Sequence, residues 1–71
     1  MIVVNVNAHD GKAIQQGIWL AKHNIIVNDD IMVKYHTEKV NDKKYEFFGR
    51  YFFPEDKSNI ATLFKLAWGG L

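Results

Sequence analysis

The sequence predicts a single small α+β domain, and three observations lead to that fold class. Residues 45–53 hold four of the five phenylalanines and two of the three tyrosines, which favours a central β-strand. Residues 2–8 and 31–38 alternate apolar and polar side chains, as half-buried strands do. Residues 12–23 and the segment after Pro54 have helical periodicity. With 71 residues, the whole chain (1–71) is expected to form one domain.

The predicted order of elements is β-α-β-β-α. A strand–helix–strand crossover normally makes its two strands parallel, and a hairpin then joins the second strand to the aromatic third. If the third strand inserts between the first two, the result is a three-stranded mixed sheet of order 1-3-2. Both helices would cover one face of this sheet, which gives a two-layer architecture.

The first strand and first helix have separate inner and outer residues in this prediction. Alternation places Ile2, Val4, Val6 and Ala8 towards the core. Asp10 is the expected N-cap of the helix, and Asn24 its left-handed C-terminal cap. The expected inner stripe of the helix consists of Ile14, Gly17, Ile18 and Ala21, with Ala13 and Leu20 at its edge. Trp19 then falls on the polar side, among Lys12, Gln15, Lys22 and His23.

The remaining elements follow from turn signals and periodicity. Residues 25–27 form an apolar connector under the sheet, 28–30 a turn, and 39–44 a hairpin loop. The central strand turns one set of side chains to the core: Tyr45, Phe47, Gly49, Tyr51 and Phe53. The second helix starts at Pro54 or at Ser58 and ends at Gly69-Gly70. Its expected inner stripe is Ile60, Leu63, Phe64 and Ala67, flanked by Leu66 and Trp68.

Composition limits the function classes. The net charge of +1 gives no overall attraction to nucleic acid, and no apolar run of about 18 residues is present for a membrane span. The absence of cysteine excludes disulfides and thiolate metal ligands and favours an intracellular, cytoplasmic setting. The high content of Asn, Ile and Lys is typical of AT-rich genomes, such as those of many phages.

Residues capable of catalysis or metal binding are few and do not form a recognised pattern. Ser58 is the single serine, and it is expected to start a helix rather than to act as a nucleophile. His9-Asp10 and Asp29-Asp30 occupy cap and turn positions, without zinc or EF-hand spacing. No glycine-rich loop precedes a helix. We therefore expect no enzyme activity, no cofactor and no metal site.

The second face of the central strand is the candidate functional surface. Phe48 and Phe52 alternate there with Glu46 and Arg50, a mixture that a plain solvent face would not need. The expected partner-binding residues on the strands are Phe48, Arg50, Phe52, Met32, Lys34 and His36, and Trp19 is a second candidate anchor.

The favoured function is a non-enzymatic module that binds another protein, as an inhibitor or regulator of a larger partner, in the manner of a viral accessory protein. Aromatic residues, Met and Arg are enriched in interface cores, and mixed charges set the register of a complex. Self-association and burial within the chain are alternative fates of this face. A further alternative is nucleic-acid binding, with phenylalanines stacking on bases and Arg or Lys neutralising phosphates.

Overall fold

The computed structural model of the chain describes residues 1–69. The strands are β1 (Ile2–Asn7), β2 (Met32–Asn41) and β3 (Lys44–Phe53), and the helices are α1 (Lys12–Lys22) and α2 (Ser58–Trp68). A short 3-10 turn, Glu55–Lys57, precedes α2. The predicted order β-α-β-β-α is confirmed. The sequence predicted that α2 ends at Gly69-Gly70. Gly69 does follow α2 directly, and Gly70 lies outside the described residues.

The sheet has the predicted order β1-β3-β2. Both outer strands pair antiparallel with β3, so they run parallel to each other, as the crossover requires. Among the three described strands no two parallel ones are adjacent, so the hydrogen bonding within this sheet is antiparallel instead of mixed. The aromatic strand lies at the centre, where both of its edges are paired.

The β2–β3 hairpin is longer and its turn shorter than the sequence indicated. The expected loop of residues 39–44 reduces to Asp42 and Lys43, because strand pairing continues to Asn41 and Lys44. A β-bulge between Lys39 and Asn41 accommodates the extra residue. The Asn41 side chain accepts a 3.0 Å hydrogen bond from the Lys43 amide, which closes the turn.

One hydrophobic core lies between the sheet and the two helices. The sheet contributes Val4, Val6, Tyr51 and Phe53, and α1 contributes Leu20. Ala61 and Phe64 come from α2, while Ile25 and Ile31 come from the connector. Because both helices pack on the same side of these strands, the prediction of two helices on one face is confirmed.

The helical layer leaves the distal half of the hairpin uncovered. Tyr51 and Phe53 are fully buried, whereas Phe47 is half-buried and Tyr45 is 61% exposed. The predicted core face of β3 is thus correct at its C-terminal end and wrong at Tyr45. Tyr35 extends over Gly49 and stacks on Phe47 at 5.0 Å between ring centroids. This aromatic pair closes the core where the helices stop.

The predicted inner stripe of α1 is wrong in rotation. Gln16 and Leu20 are the buried residues of this helix, while Ile14 and Ile18 are 71% and 53% exposed. Trp19 is half-buried against the core and not on the polar side. The helix is turned so that a polar residue lies inside and two isoleucines lie outside.

The inner face of α2 also differs from its prediction. Ala61 and Phe64 are buried, with Ile60 and Trp68 packed against the core beside them. Leu63 is 47% exposed, and Ala67 is exposed as well. Only Ile60 and Phe64 of the expected stripe therefore face inward. The helix starts at Ser58, which was one of the two predicted starts.

The caps of α1 match the sequence at one end only. Asp10 does not cap the helix; it has a positive φ of 55° and precedes the N-cap, Gly11, whose φ is 80°. At the other end Asn24 is left-handed as predicted, with φ 61°. Its amide donates to Ala21 O at 3.0 Å, and the Ile25 amide donates to Leu20 O at 2.9 Å. These bonds form a Schellman motif, and Ile25 and Leu20 supply its hydrophobic contact.

Candidate protein-binding surface

The face of the sheet that points away from the helices is the candidate site, and we call it the outer face. Neither helix covers it, because both pack on the opposite side. Its residues alternate with the core residues along each strand: Val3, Asn5, Asn7, Met32, Lys34, His36, Glu38, Glu46, Phe48, Arg50 and Phe52. The six strand residues predicted for the site therefore share one surface.

An apolar row crosses the three strands at one end of the outer face. Val3 lies opposite Phe52 on one side, and Met32 lies opposite Phe52 on the other. Val3 and Met32 are 52% and 59% exposed, and Phe52 between them is half-buried. This row is the most accessible apolar part of the outer face.

A cationic row lies next to the apolar row. Arg50 has Asn5 on one side and Lys34 on the other. Lys34 Nζ lies 6.0 Å from the centroid of the Phe52 ring, within cation–π range. Within residues 1–69, neither Arg50 nor Lys34 forms an ion pair. Two adjacent positive charges are thus available to an acidic group of a ligand.

The third row is aromatic. Phe48 lies opposite His36 on β2 and Asn7 on β1. The His36 and Phe48 rings stack with centroids 5.9 Å apart and an interplanar angle of 22°. Both side chains are half-buried, because each covers part of the other. The cationic row is therefore bordered by an aromatic ring on each side.

Two carboxylates close the far end of the outer face, and both are engaged by neighbours. Glu38 accepts hydrogen bonds from His36 Nε2 at 2.6 Å and from Asn5 Nδ2 at 3.2 Å. These hydrogen bonds, that from His36 first, lower the pKa of Glu38. Glu46 accepts from Asn7 Nδ2 at 2.8 Å and lies 3.4 Å from Lys44 Nζ. The outer face thus changes from apolar through cationic and aromatic to acidic.

Trp19, the seventh predicted site residue, does not join this surface. It belongs to α1 on the other side of the sheet, where it packs against the core. Its ring stacks on His23 at 3.9 Å and meets Phe64 edge-on at 5.6 Å. The His23 Nδ1–H donates to Trp19 O at 2.9 Å, which fixes this stack. Trp19 closes the core between the helices and is not an exposed anchor.

The residues considered for catalysis and metal binding remain dispersed. His9 Nε2 lies 3.5 Å from Asp10 Oδ1, but no group of three His, Asp or Glu side chains in residues 1–69 could hold a metal ion. Asp30 Oδ2 accepts a 2.8 Å hydrogen bond from the Ile26 amide, a local turn contact. Ser58 is the first residue of α2, and its carbonyl accepts from the Thr62 hydroxyl at 3.0 Å.

The structure also presents apolar residues that sequence reasoning placed in the core. Ile14, Ile18 and Leu63, which were predicted for the inner stripes, and Leu66, which was predicted to flank one, lie on the outward sides of the two helices. The signal that could have located Ile14 and Ile18 is the spacing of Leu20 with Gln16 and Trp19, which defines a second, competing stripe on α1.

No family model, curated protein or solved structure matches the chain. In the described part of the chain, neither helix has the length and apolar character required to cross a membrane.

Proposed function

We propose that the chain is a non-enzymatic module that binds another protein through the outer face and acts as an inhibitor or regulator of that partner. The observation that carries this proposal is the cross-strand row of Val3, Phe52 and Met32, in which Val3 and Met32 are exposed and Phe52 is half-buried. Burial of such a row by a partner releases about 25 cal/mol for each Å² of apolar surface. A viral accessory role in the cytoplasm fits a chain of 71 residues without cysteine.

The order of charges on the outer face supports a protein partner. Arg50 and Lys34 adjoin the apolar row, and Glu38 and Glu46 lie at the opposite end. A ligand that covers the whole face must present an acidic group, then a basic group, along one direction. Opposite charges at two ends fix orientation in protein complexes. A uniformly anionic polymer would meet the carboxylates unfavourably.

Affinity capture and calorimetry with matched variants test the proposal. The chain is used to capture proteins from a lysate of the cells in which it occurs, and captured proteins are purified and titrated by calorimetry. Met32→Asp should weaken binding by about tenfold or more, because it places a charge in the apolar row. Val40→Asp is the control: Val40 is also on β2 and 53% exposed, but lies in the bulge. Equal binding by both variants would contradict the proposal.

Self-association is a separate outcome of the same surface. If a second copy covers the apolar row, sedimentation at increasing concentration will show a dimer that Met32→Asp abolishes. The partner is then this chain itself, and the external-partner form of the proposal fails.

Nucleic-acid binding is the second candidate. It is favoured by Arg50 and Lys34, which form no ion pair within residues 1–69 and lie between the rings of Phe48 and Phe52. Single strands use this combination of stacking and charge. Fluorescence anisotropy with random single-stranded and duplex oligonucleotides at low and physiological salt distinguishes the two functions. If the chain binds single strands, the logarithm of the affinity should fall against the logarithm of the salt concentration with a slope of about −0.7 per neutralised phosphate. Submicromolar binding at physiological salt, lost in Phe48→Ala and Arg50→Gln, would replace the protein-binding proposal.

A further inference from the structure

We propose that the outward sides of α1 and α2 form a second interaction surface, which binds an acidic amphipathic helix of another protein. We call it the helical outer surface and define it by Ile14, Ile18, Leu63 and Leu66. It lies on the side of the molecule opposite to the outer face and is independent of the function proposed there.

The isoleucines of this surface are held outside by a buried polar contact. Gln16 is fully buried; its Oε1 accepts from the Tyr51 hydroxyl at 2.9 Å, and its Nε2 donates to Asn7 O at 2.7 Å. These two bonds join α1 to β3 and β1. Turning the helix to bury Ile14 and Ile18 would break both and leave buried polar groups unpaired, which is costly. The exposure of Ile14 (71%) and Ile18 (53%) is therefore a fixed property of the fold.

The second helix adds an apolar stripe to the same layer. Leu63 and Leu66 are 47% and 76% exposed. Trp19 of α1 meets Phe64 of α2 edge-on at 5.6 Å, so the two helices are neighbours. Two adjacent helices with outward Ile and Leu offer ridges between which a third helix can pack.

The charges of the two helices select the partner. Every ionisable side chain within residues 12–22 and 58–68 is a lysine: Lys12, Lys22 and Lys65. All three are exposed. The complementary ligand combines apolar residues at helical spacing with acidic residues at the borders of its stripe.

The same charges argue against two other occupants. Within residues 12–22 and 58–68, a second copy of the chain would place lysines only against lysines, which is unfavourable. A lipid surface would be engaged by interfacial aromatic side chains, as amphipathic membrane helices are. Here Trp19 and Trp68 pack against the core. Three lysines supply only about 1 kcal/mol each towards an anionic bilayer.

Nuclear magnetic resonance titration of the ¹⁵N-labelled chain tests this inference with three probes. One is a synthetic peptide of about 18 residues, with Leu at helical spacing and Glu at the stripe borders. The second has Lys in place of Glu, and the third is vesicles of phosphatidylserine and phosphatidylcholine. We expect the acidic peptide to shift amides of residues 14–22 and 62–68, and to bind about tenfold or more tightly than the basic peptide.

Paired variants locate the binding. Ile18→Ser should weaken binding of the acidic peptide about tenfold, while Ile26→Ser should change the affinity by less than about twofold. The two isoleucines are almost equally exposed, at 53% and 52%, but Ile26 lies in the connector before β2. The double variant Lys22→Glu/Lys65→Glu should reverse the preference towards the basic peptide. Met32→Asp on the outer face should leave peptide binding unchanged.

Three results would overturn the inference. One is equal affinity for the acidic and basic peptides. Another is a shift pattern confined to the strands. The third is tighter binding to vesicles than to the acidic peptide, which would make the surface a lipid contact.

Discussion

The hydroxyl of Tyr51 donates a 2.9 Å hydrogen bond to the side-chain oxygen of Gln16, and both residues are completely buried. The side-chain amide nitrogen of Gln16 donates a second hydrogen bond, to the backbone carbonyl of Asn7. The central strand, the first helix and the first strand are thereby joined through one glutamine. This polar junction sets the rotation of α1 and, with it, which side chains reach solvent.

Removing the Tyr51 hydroxyl should destabilise the fold measurably. Tyr51→Phe leaves the buried oxygen of Gln16 without a donor, at a cost of about 1–3 kcal/mol in the free energy of unfolding. Urea denaturation measures the loss. Tyr45→Phe is the control, because Tyr45 is 61% exposed, and its change should stay within about 0.5 kcal/mol. Adding Gln16→Met to Tyr51→Phe should cost less than the two single losses combined; strict additivity would contradict the coupling.

The same hydroxyl should make stability depend on alkaline pH. Burial raises the pKa of Tyr51, and the neighbouring Tyr35 side chain raises it further. In the unfolded chain tyrosine ionises near pH 10, whereas the folded chain keeps this group neutral. The contribution of neutral Tyr51 is thus complete below about pH 10 and is lost as pH rises towards the folded pKa. Denaturation of wild type and Tyr51→Phe from pH 7 upward should show a difference that is constant to about pH 10 and shrinks above it; a difference still unchanged at about pH 12 would contradict this.

Phe64 should dominate core stability, and Phe48 should not. The Phe64 ring meets Trp19, Tyr51 and Phe53 at centroid distances of 5.6, 4.7 and 5.6 Å. Phe64→Ala should cost about 3–5 kcal/mol, close to the whole stability of a small domain. Phe48 is half-buried and stacks on His36, so Phe48→Ala should reduce the free energy of unfolding clearly less than Phe64→Ala does. Thermal and chemical denaturation compare them, and similar losses would refute the separation of core and outer face.

Two glycines should respond to alanine with opposite signs. At Gly49 an added Cβ would lie 2.9 Å from Tyr51 Cε1 and 3.2 Å from Tyr35 Cε1, so Gly49→Ala should destabilise by about 1–3 kcal/mol. At Gly17 nothing lies within 4 Å, and the residue is helical. Gly17→Ala should therefore stabilise by roughly 0.4–1 kcal/mol. Equilibrium unfolding of both variants provides the test, and a shared sign would be inconsistent with these contacts.

The strands were predictable because their information is local. The alternation in residues 2–8 and 45–53 identifies core residues such as Val4, Val6 and Phe53. The sheet order also followed, since the crossover and the hairpin leave few arrangements. Tyr45 was placed wrongly because its exposure depends on where the helices end, which the period of the strand does not encode.

Helix rotation was not predictable from apolar spacing. In α1 one stripe contains Ile14 and Ile18, and a competing stripe contains Leu20 and Trp19. Counting apolar residues favours the first stripe. The fold uses the second, because Gln16 meets a hydroxyl and a carbonyl that only the assembled sheet brings together. A buried polar contact between distant segments outweighs local hydrophobicity here.

The outer face followed from the sequence, whereas the helical outer surface did not. Phe48, Arg50 and Phe52 share a face simply because they are two positions apart. The same error in helix rotation placed Trp19 on the polar side of α1 and Ile18 in the expected inner stripe. An error in the predicted rotation of a helix about its axis shifts all of its residues together. The wrong inner stripe of α1 therefore misplaced Trp19 and Ile18 at the same time.

The strand order determines when each strand can find its partner during synthesis of the chain. Ile2 pairs with Phe53, so the first strand to leave the ribosome has no partner until almost the last of the sheet has been made. Until then Val4 and Val6 remain without their core neighbours, on a segment that other unfolded chains could capture. The β2–β3 hairpin is contiguous in sequence, so its pairing closes a much shorter loop than the pairing of β1 with the other edge of β3. The sheet is therefore completed by β1 only after β3 has been synthesised, although β1 precedes it by almost the whole length of the sheet.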